Sequence, residues 1–173
     1  MTSLEIATWV GAAVLLFWSV GAYNRLVGLR NAIVARFAPV DAGLSERHAL
    51  LQQQIDAVAA VLSSAGERLD ALRAACVQAE TARAHARRHP GAQGAIKSLC
   101  LADEILADAR ARLPVQNLGS LAELNARLAQ ADTDIAFARR GFNEAVLEYN
   151  HAVRQIPTRL IAQAVGFGPS GTF

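Results

Sequence analysis

The stretch from Ile6 to Asn24 contains no charged side chain, and Ile6 to Ala22 (IATWVGAAVLLFWSVGA) is almost wholly apolar. As a helix these nineteen residues reach about 28 Å at ~1.5 Å per residue, close to the ~30 Å hydrocarbon core of a bilayer. Three structures fit such a run: a retained transmembrane anchor, a cleaved signal peptide and a buried core helix. Val20-Gly21-Ala22 resembles a small-residue cleavage site. The leader MTSLE, however, carries Glu5 and no Lys or Arg, whereas a secretory leader is basic. Positive charge follows the run instead, at Arg25, Arg30 and Arg36, with no acid before Asp41. The expectation is therefore a single-pass inner-membrane anchor with the N-terminus outside and the rest of the chain cytoplasmic. Trp18 and Tyr23 lie toward the cytoplasmic end, where interfacial aromatics are common.

Beyond the anchor, composition narrows the classes. The chain is 53% hydrophobic and 18% charged, and 36 of its 173 residues are alanine. Low charge with ample apolar content excludes a disordered chain. Twelve glycines and two cysteines exclude collagenous and disulfide-rich scaffolds. A net charge of +2 makes no case for nucleic acid.

No segment reads as a strand. Leu26, Leu29, Ile33, Phe37, Val40 and Leu44 recur three or four apart, and Leu51, Ile55, Val58, Leu62, Leu69, Leu72 and Cys76 resume the same helix face. Pro39 is expected to kink or break this helix, and Ser63-Ser64-Ala65-Gly66 suits a bend. His89-Pro90-Gly91-Ala92-Gln93-Gly94 reads as a loop, followed by a helix with Ile96, Leu99, Cys100, Ile105, Leu106 and Leu113 that ends at Pro114. Ser120-Leu121-Ala122-Glu123 is a capping-box pattern. From it Leu121, Leu124, Leu128, Ala131, Ile135, Ala138, Phe142, Ala145, Tyr149 and Val153 repeat without a gap until Ile156 and Pro157. Short connections between comparable helices favour an intramolecular bundle over a coiled-coil dimer. Small alanines on the seams let the helix axes approach closely.

The predicted fold is all-α: an N-terminal transmembrane helix followed by an antiparallel up-and-down four-helix bundle of long helices. An anchor spans 1–24, the bundle 25–157 and a short membrane-proximal tail 158–173. Residues 23–62 run outward, 67–88 return part of the way, 95–113 run out again and 120–156 return in full. This brings the tail from Arg159 to Phe167 to the membrane surface, either touching headgroups or plugging the end of the bundle with Leu160, Ile161, Val165 and Phe167.

Tyr23-Asn24-Arg25-Leu26-Val27-Gly28-Leu29-Arg30-Asn31, directly after the apolar run, resembles the opening of a LemA-family protein. Asp134-Ile135-Ala136-Phe137-Ala138-Arg139-Arg140-Gly141-Phe142-Asn143-Glu144-Ala145-Val146 with Glu148-Tyr149-Asn150, Ile156-Pro157, Ala162 and Gly166-Phe167-Gly168 resembles its close. The two ends together cover roughly 23–33 and 117–173. The middle departs from the family pattern, with Glu46-Arg47-His48-Ala49-Leu50-Leu51-Gln52-Gln53-Gln54 in place of paired basic residues and an Asp-Leu-Ile-Pro-Asn-Leu segment. The resemblance implies a membrane-anchored antiparallel bundle in a widespread bacterial family. It supplies no catalytic residue.

No catalytic, cofactor-binding or metal-binding residues are expected, and no cofactor. His85 and His89, four apart with Glu80 nearby, fall short of the three or four converging ligands a metal needs and read as a surface pair. His48 and His151 are isolated. Cys76 and Cys100 lie on apolar faces without CxxC spacing and read as reduced packing residues. In an inverted topology the two thiols would be candidates for a disulfide. Asp103, Glu104 and Asp108 read as solvent-facing charge beside Arg110 and Arg112. Asn143, Tyr149 and Asn150 must satisfy polar groups on a seam, so they are expected to form a clasp with one another or with Asn24. Arg25, Arg30, Arg139, Arg140, Arg154 and Arg159 are candidate membrane-surface contacts, each worth ~1 kcal/mol near an anionic leaflet. The function expected is a non-enzymatic scaffold or organiser. Its partners are the lipid bilayer and either a protein or a second copy, with no nucleic acid and no small-molecule substrate. The alternative is a signal relay or sensor acting through the long first helix.

Overall fold

The apolar run and the first bundle helix form one continuous rod, α1 (Ser3–Val61). Its 59 residues extend about 88 Å at ~1.5 Å per residue. The computed structural model describes residues 2–61, 66–113, 121–156 and 158–173. After α1 come α2 (Gly66–Arg88), α3 (Gln93–Ala111), α4 (Ala122–Arg154) and α5 (Thr158–Val165). Among the described residues there is no strand. The turn expected at Ser63–Ala65 and the residues Pro114, Ser120 and Pro157 lie outside the described residues.

α1 begins with a capping box that the sequence reading did not identify. The Thr2 amide donates to Glu5 Oε2 at 2.9 Å, and the Glu5 amide donates to Thr2 Oγ1 at 3.4 Å. Side chains from Glu5 to Trp18 are exposed, among them Trp9, Leu15, Leu16 and Phe17 at 65–77%. Ser19 satisfies its hydroxyl inside the helix by donating to the Leu15 carbonyl at 2.7 Å. This is the one helix among the described residues long and apolar enough to cross a membrane.

Packing starts abruptly at Leu26, which is fully buried. From there Ile33, Phe37, Val40, Leu44, Leu51, Ile55 and Val58 are buried on the predicted face, joined by Leu50 and Gln54. Pro39 neither ends α1 nor interrupts it. Both Pro39 and Ala35, whose carbonyl loses its partner, face outward, so water can satisfy the freed carbonyl. Phe37 and Val40, buried on the other side, hold the axis against α4.

α4 runs antiparallel to α1 in a constant register. Gln54 faces Asn125, Arg47 faces Asp132, Gly43 faces Ile135 and Phe37 faces Phe142. The α4 stripe is buried as its spacing predicts at Leu128, Ala131, Ile135, Phe142 and Tyr149. The helix itself starts at Ala122 with Leu121 as N-cap and no side-chain capping bond. α2 and α3 form a shorter hairpin packed on α1, turning at residues 89–92. Burying each large apolar side chain contributes roughly 1.5–3 kcal/mol.

Two apolar clusters divide the bundle. One gathers Leu51, Ile55, Leu72, Cys76, Leu106 and Leu128 at the far end. The other gathers Leu26, Ile33, Phe37, Leu99, Phe142 and Tyr149 at the end nearest the apolar run. Seam packing accounts for only part of the alanine excess. Ala75, Ala86, Ala95, Ala102, Ala109, Ala131, Ala152 and Ala162 are buried, but Ala35, Ala38, Ala59, Ala60, Ala71 and Ala74 are exposed. At exposed positions alanine contributes helix propensity instead.

Candidate functional site

Because the α2–α3 hairpin turns back near Ile33, the last turns of α1 and α4 toward the apolar run lack partners from it. α5 and the segment after it fill that space. α5 buries Thr158 and Ala162 and ends in a Schellman motif: the Phe167 amide donates to the Ala162 carbonyl at 2.8 Å and the Gly166 amide to the Gln163 carbonyl at 3.3 Å. Gly166 takes the positive φ of 77° that this cap requires. Of the expected plug residues Leu160 and Val165 stay exposed at 63% and 48%, Ile161 is half-buried, and half-buried Phe167 packs against the cluster that also holds Ala162. Phe167 stacks on Tyr23 at 6.1 Å and lies beneath the Arg30 guanidinium at 5.5 Å.

Residues 168–173 run back along α4 as extended chain, and three polar side chains of α4 hold their backbone. Asn150 Nδ2 donates to the Ser170 carbonyl at 2.9 Å while its Oδ1 accepts the Ser170 amide at 2.8 Å. Asn143 does the same for Phe173, at 3.3 Å and 2.9 Å. Tyr149 donates its hydroxyl to the Gly168 carbonyl at 3.0 Å. An asparagine amide presents one donor side and one acceptor side, so each Asn bridges a single residue at two points, as a neighbouring strand would. Extended backbone is thereby satisfied without a sheet. The expected pairing of these residues with one another or with Asn24 is replaced by pairing with the tail, and Asn24 is exposed. Burial pushes the Tyr149 hydroxyl pKa up, against a smaller opposing pull from Arg30.

Two glycines let the tail close on the α2–α3 turn. The Gly171 amide donates to the Gly91 carbonyl at 3.3 Å. A Cβ on Gly171 would stand 2.8 Å from Gln93 Cα, and one on Gly91 would stand 3.0 Å from Ser170 Oγ. Phe173 then packs edge-on against Phe142 at 5.2 Å and under Arg139 at 4.8 Å.

The six arginines separate into two groups. Arg25, Arg30, Arg154 and Arg159 are exposed at the end nearest the apolar run. The α1–α4 register puts Arg139 and Arg140 opposite residues 38–40, roughly 20 Å along the axis from Asn24 at ~1.5 Å per residue. Arg139 instead donates to Asp103 at 2.8 Å.

That pair belongs to a polar layer between the two apolar clusters. Arg47 bonds Asp103 and reaches Asp132 at 3.4 Å, and Arg110 bonds Asp132 at 2.7 Å. Burial works to raise the Asp103 pKa, but the Arg47 and Arg139 guanidinium groups overcome it and hold the carboxyl below its ordinary value. Asp103 is thus an inter-helix ion-pair residue, where the sequence reading had it facing solvent beside Arg110. The usable signal was Arg47 itself, a charge on the stripe between Leu44 and Leu51. Nearby, Arg83 joins Asp41 and Glu80, both at 2.6 Å.

Both cysteines are free. Burial raises the Cys76 thiol pKa against a weaker pull from Arg47, and burial raises that of half-buried Cys100 as well. His85 and His89 meet edge-to-face at 5.5 Å, while His151 pairs with Gln155 at 2.8 Å. Among the described residues no three His, Cys, Asp or Glu side chains gather as a metal site.

The family model described as LemA family matches residues 36–173. The match contains the clasp, the tail and the divergent middle, and begins beyond the Tyr23–Asn31 stretch. No curated protein matches the chain.

Proposed function

This chain belongs to the LemA family, and on that footing we propose that it is a membrane-anchored, non-enzymatic scaffold whose bundle stands on the cytoplasmic face of the inner membrane. One observation carries the reading: a single helix is bare from Glu5 to Trp18 and buried in the bundle from Leu26 onward. An apolar helix left without protein packing finds its favourable solvent in hydrocarbon. Arg25 and Arg30, with no acid before Asp41, favour the cytoplasmic side for the bundle.

The outer face of α5 supports a bundle seated on the bilayer. Leu160 and Val165 are exposed beside the point where α1 leaves the bundle, with Arg154 and Arg159 close in sequence. A short apolar strip flanked by arginine suits the headgroup boundary, and the anchor holds it there. The protein then presents its remaining faces to a protein partner or to a second copy.

Crosslinking the full chain in native membranes and identifying the products tests the scaffold reading. A reproducible stoichiometric adduct is expected; a chain recovered only as an uncrosslinked monomer overturns it. Protease added outside spheroplasts should spare the bundle, and its digestion refutes the cytoplasmic orientation. A second reading, a relay of movement through α1, draws support from the unbroken passage of that helix through Pro39. Inserting one residue between Val20 and Gly21, ahead of the packed face that begins at Leu26, would rotate the anchor against the bundle by about 100° and abolish a relay but leave scaffold crosslinks in place.

A further inference from the structure

Between α1, the α2–α3 turn and the clasped tail lies an open cavity of about 400 Å³, within the ~300–1,000 Å³ usual for ligand pockets. Arg30 borders it from α1, Arg88 and His89 from the end of α2, and Tyr149 from α4. No carboxylate is among the described residues that line it. Its outer wall is the segment from Gly166 to Ser170, held by Tyr149 and Asn150. The sequence separates Arg30 from Arg88, and only the tail's return closes a pocket between them.

The charges here are not consumed within the protein. Among the described residues neither Arg30 nor Arg88 has a carboxylate partner, whereas Arg47, Arg83, Arg110 and Arg139 are all paired with acids. The Arg30 guanidinium lies over the Phe167 ring, a cation–π contact that positions it without consuming its N–H donors. Gly91 and Ala92 also line the cavity at the start of α3, where the positive end of a helix favours an anion.

We propose that this cleft binds a phosphate group, with Arg30 and Arg88 as its principal ligands and His89 beside them. Guanidinium donors match phosphate oxygens in geometry as well as charge. The group comes either from an anionic phospholipid headgroup or from a small soluble phosphate. Arg30 stands six positions past Asn24, about 9 Å along α1 at ~1.5 Å per residue, which is within reach of a headgroup if the anchor spans the bilayer. The soluble arm does not depend on that anchoring.

The test uses the full chain purified in non-ionic detergent. Inorganic phosphate binding is read by calorimetry, and retained lipid by native mass spectrometry after exchange through phosphatidylglycerol or phosphatidylcholine nanodiscs. The variants are Arg30→Gln, Arg88→Gln and the control Arg127→Gln, which removes an equal charge from α4 beside the far apolar cluster, away from the cleft and the apolar run. All three positions are exposed, and unchanged helical circular dichroism verifies the fold.

Saturable phosphate binding that falls about tenfold or more in Arg30→Gln and Arg88→Gln, but not in Arg127→Gln, supports the site with a soluble ligand. The same pattern for retained phosphatidylglycerol, without calorimetric phosphate binding, supports a headgroup. Absence of both, or equal loss in all three variants, overturns the proposal. The last result would show general surface charge and would leave the anchored-scaffold reading standing.

Discussion

At Gly43 α1 packs tightly against α4, and replacing it should separate two effects that a glycine-to-alanine change usually mixes. A Cβ at this position would stand 2.8 Å from Ile135 Cγ1, against an optimal carbon–carbon separation of about 3.5–4.0 Å. Ile135 is 2% exposed, and Cγ1 is the branch next to its backbone, so the side chain cannot swing into solvent. α4 must move off α1 by something like 1 Å, disturbing the Phe37–Phe142 pair at 5.8 Å. Overpacking of this kind costs about 1–3 kcal/mol, while alanine recovers ~0.8–1 kcal/mol of helix propensity over glycine. Gly43→Ala should therefore destabilise by about 1 kcal/mol. Gly141 is the control, because its Cβ would meet only Arg36 Nη1 at 3.8 Å and Cδ at 4.0 Å, which is ordinary contact. Gly141→Ala should stabilise by ~0.8–1 kcal/mol. For a chain this long the two variants should differ by about 4–8 °C in melting temperature, measured by circular dichroism of the full chain in detergent. Combining Gly43→Ala with Ile135→Ala, which removes the obstructing Cγ1, should cost less than the separate changes together by about 1–3 kcal/mol. If Gly43→Ala raises the melting temperature as Gly141→Ala does, or if the pair is additive, the close contact is not real.

Asn150→Asp keeps the shape of the side chain but replaces its donor with a second acceptor facing the Ser170 carbonyl. It should cost about 1–3 kcal/mol locally and release the tail, seen as faster amide exchange from Ser170 to Phe173. Slow exchange there in the variant would dismiss the clasp. Asp103→Asn removes the acid that Arg47 and Arg139 share, leaving Arg47 only its longer contact to Asp132, and should destabilise by about 3 kcal/mol, the lower end for a buried pair because Asp103 keeps some solvent access. With its folded pKa depressed, the Asp103 contribution is complete above the unfolded value of ~3.9 and vanishes as pH falls through the folded value. The gap between wild type and Asp103→Asn should consequently close below about pH 4, and a constant gap in acid would contradict the ion-pair origin. Cys76 should resist thiol reagents until the bundle unfolds, while half-buried Cys100 reacts first; simultaneous labelling would contradict the burial of Cys76.

The helices were legible because periodicity is a local property: every residue of the Leu128–Tyr149 stripe lies three or four from the next whatever the chain packs against. The uncharged run was legible for the same reason, since length and lack of charge are read without neighbours. Of the two outcomes expected at Pro39, a kink or a break, the break does not occur, because the effect of a proline depends on which way it faces. Turned outward, it leaves the Ala35 carbonyl to water, and the buried residues around it keep the helix continuous. The solvent-facing reading of Asp103 failed because its partners come from two other helices.

The sequence alone determined an apolar segment, four amphipathic stretches and their order, all set by spacing along one dimension. Tertiary structure decided the α1–α4 register, which moved Arg139 and Arg140 away from the apolar end and brought Arg139 to Asp103. It decided, too, that Asn143, Tyr149 and Asn150 would hold the tail's backbone, and that this tail would close a basic cleft between Arg30 and Arg88. The physical reason is that hydrogen bonds and ion pairs join groups far apart in the chain, and their partners exist only after apolar burial has fixed the helices side by side.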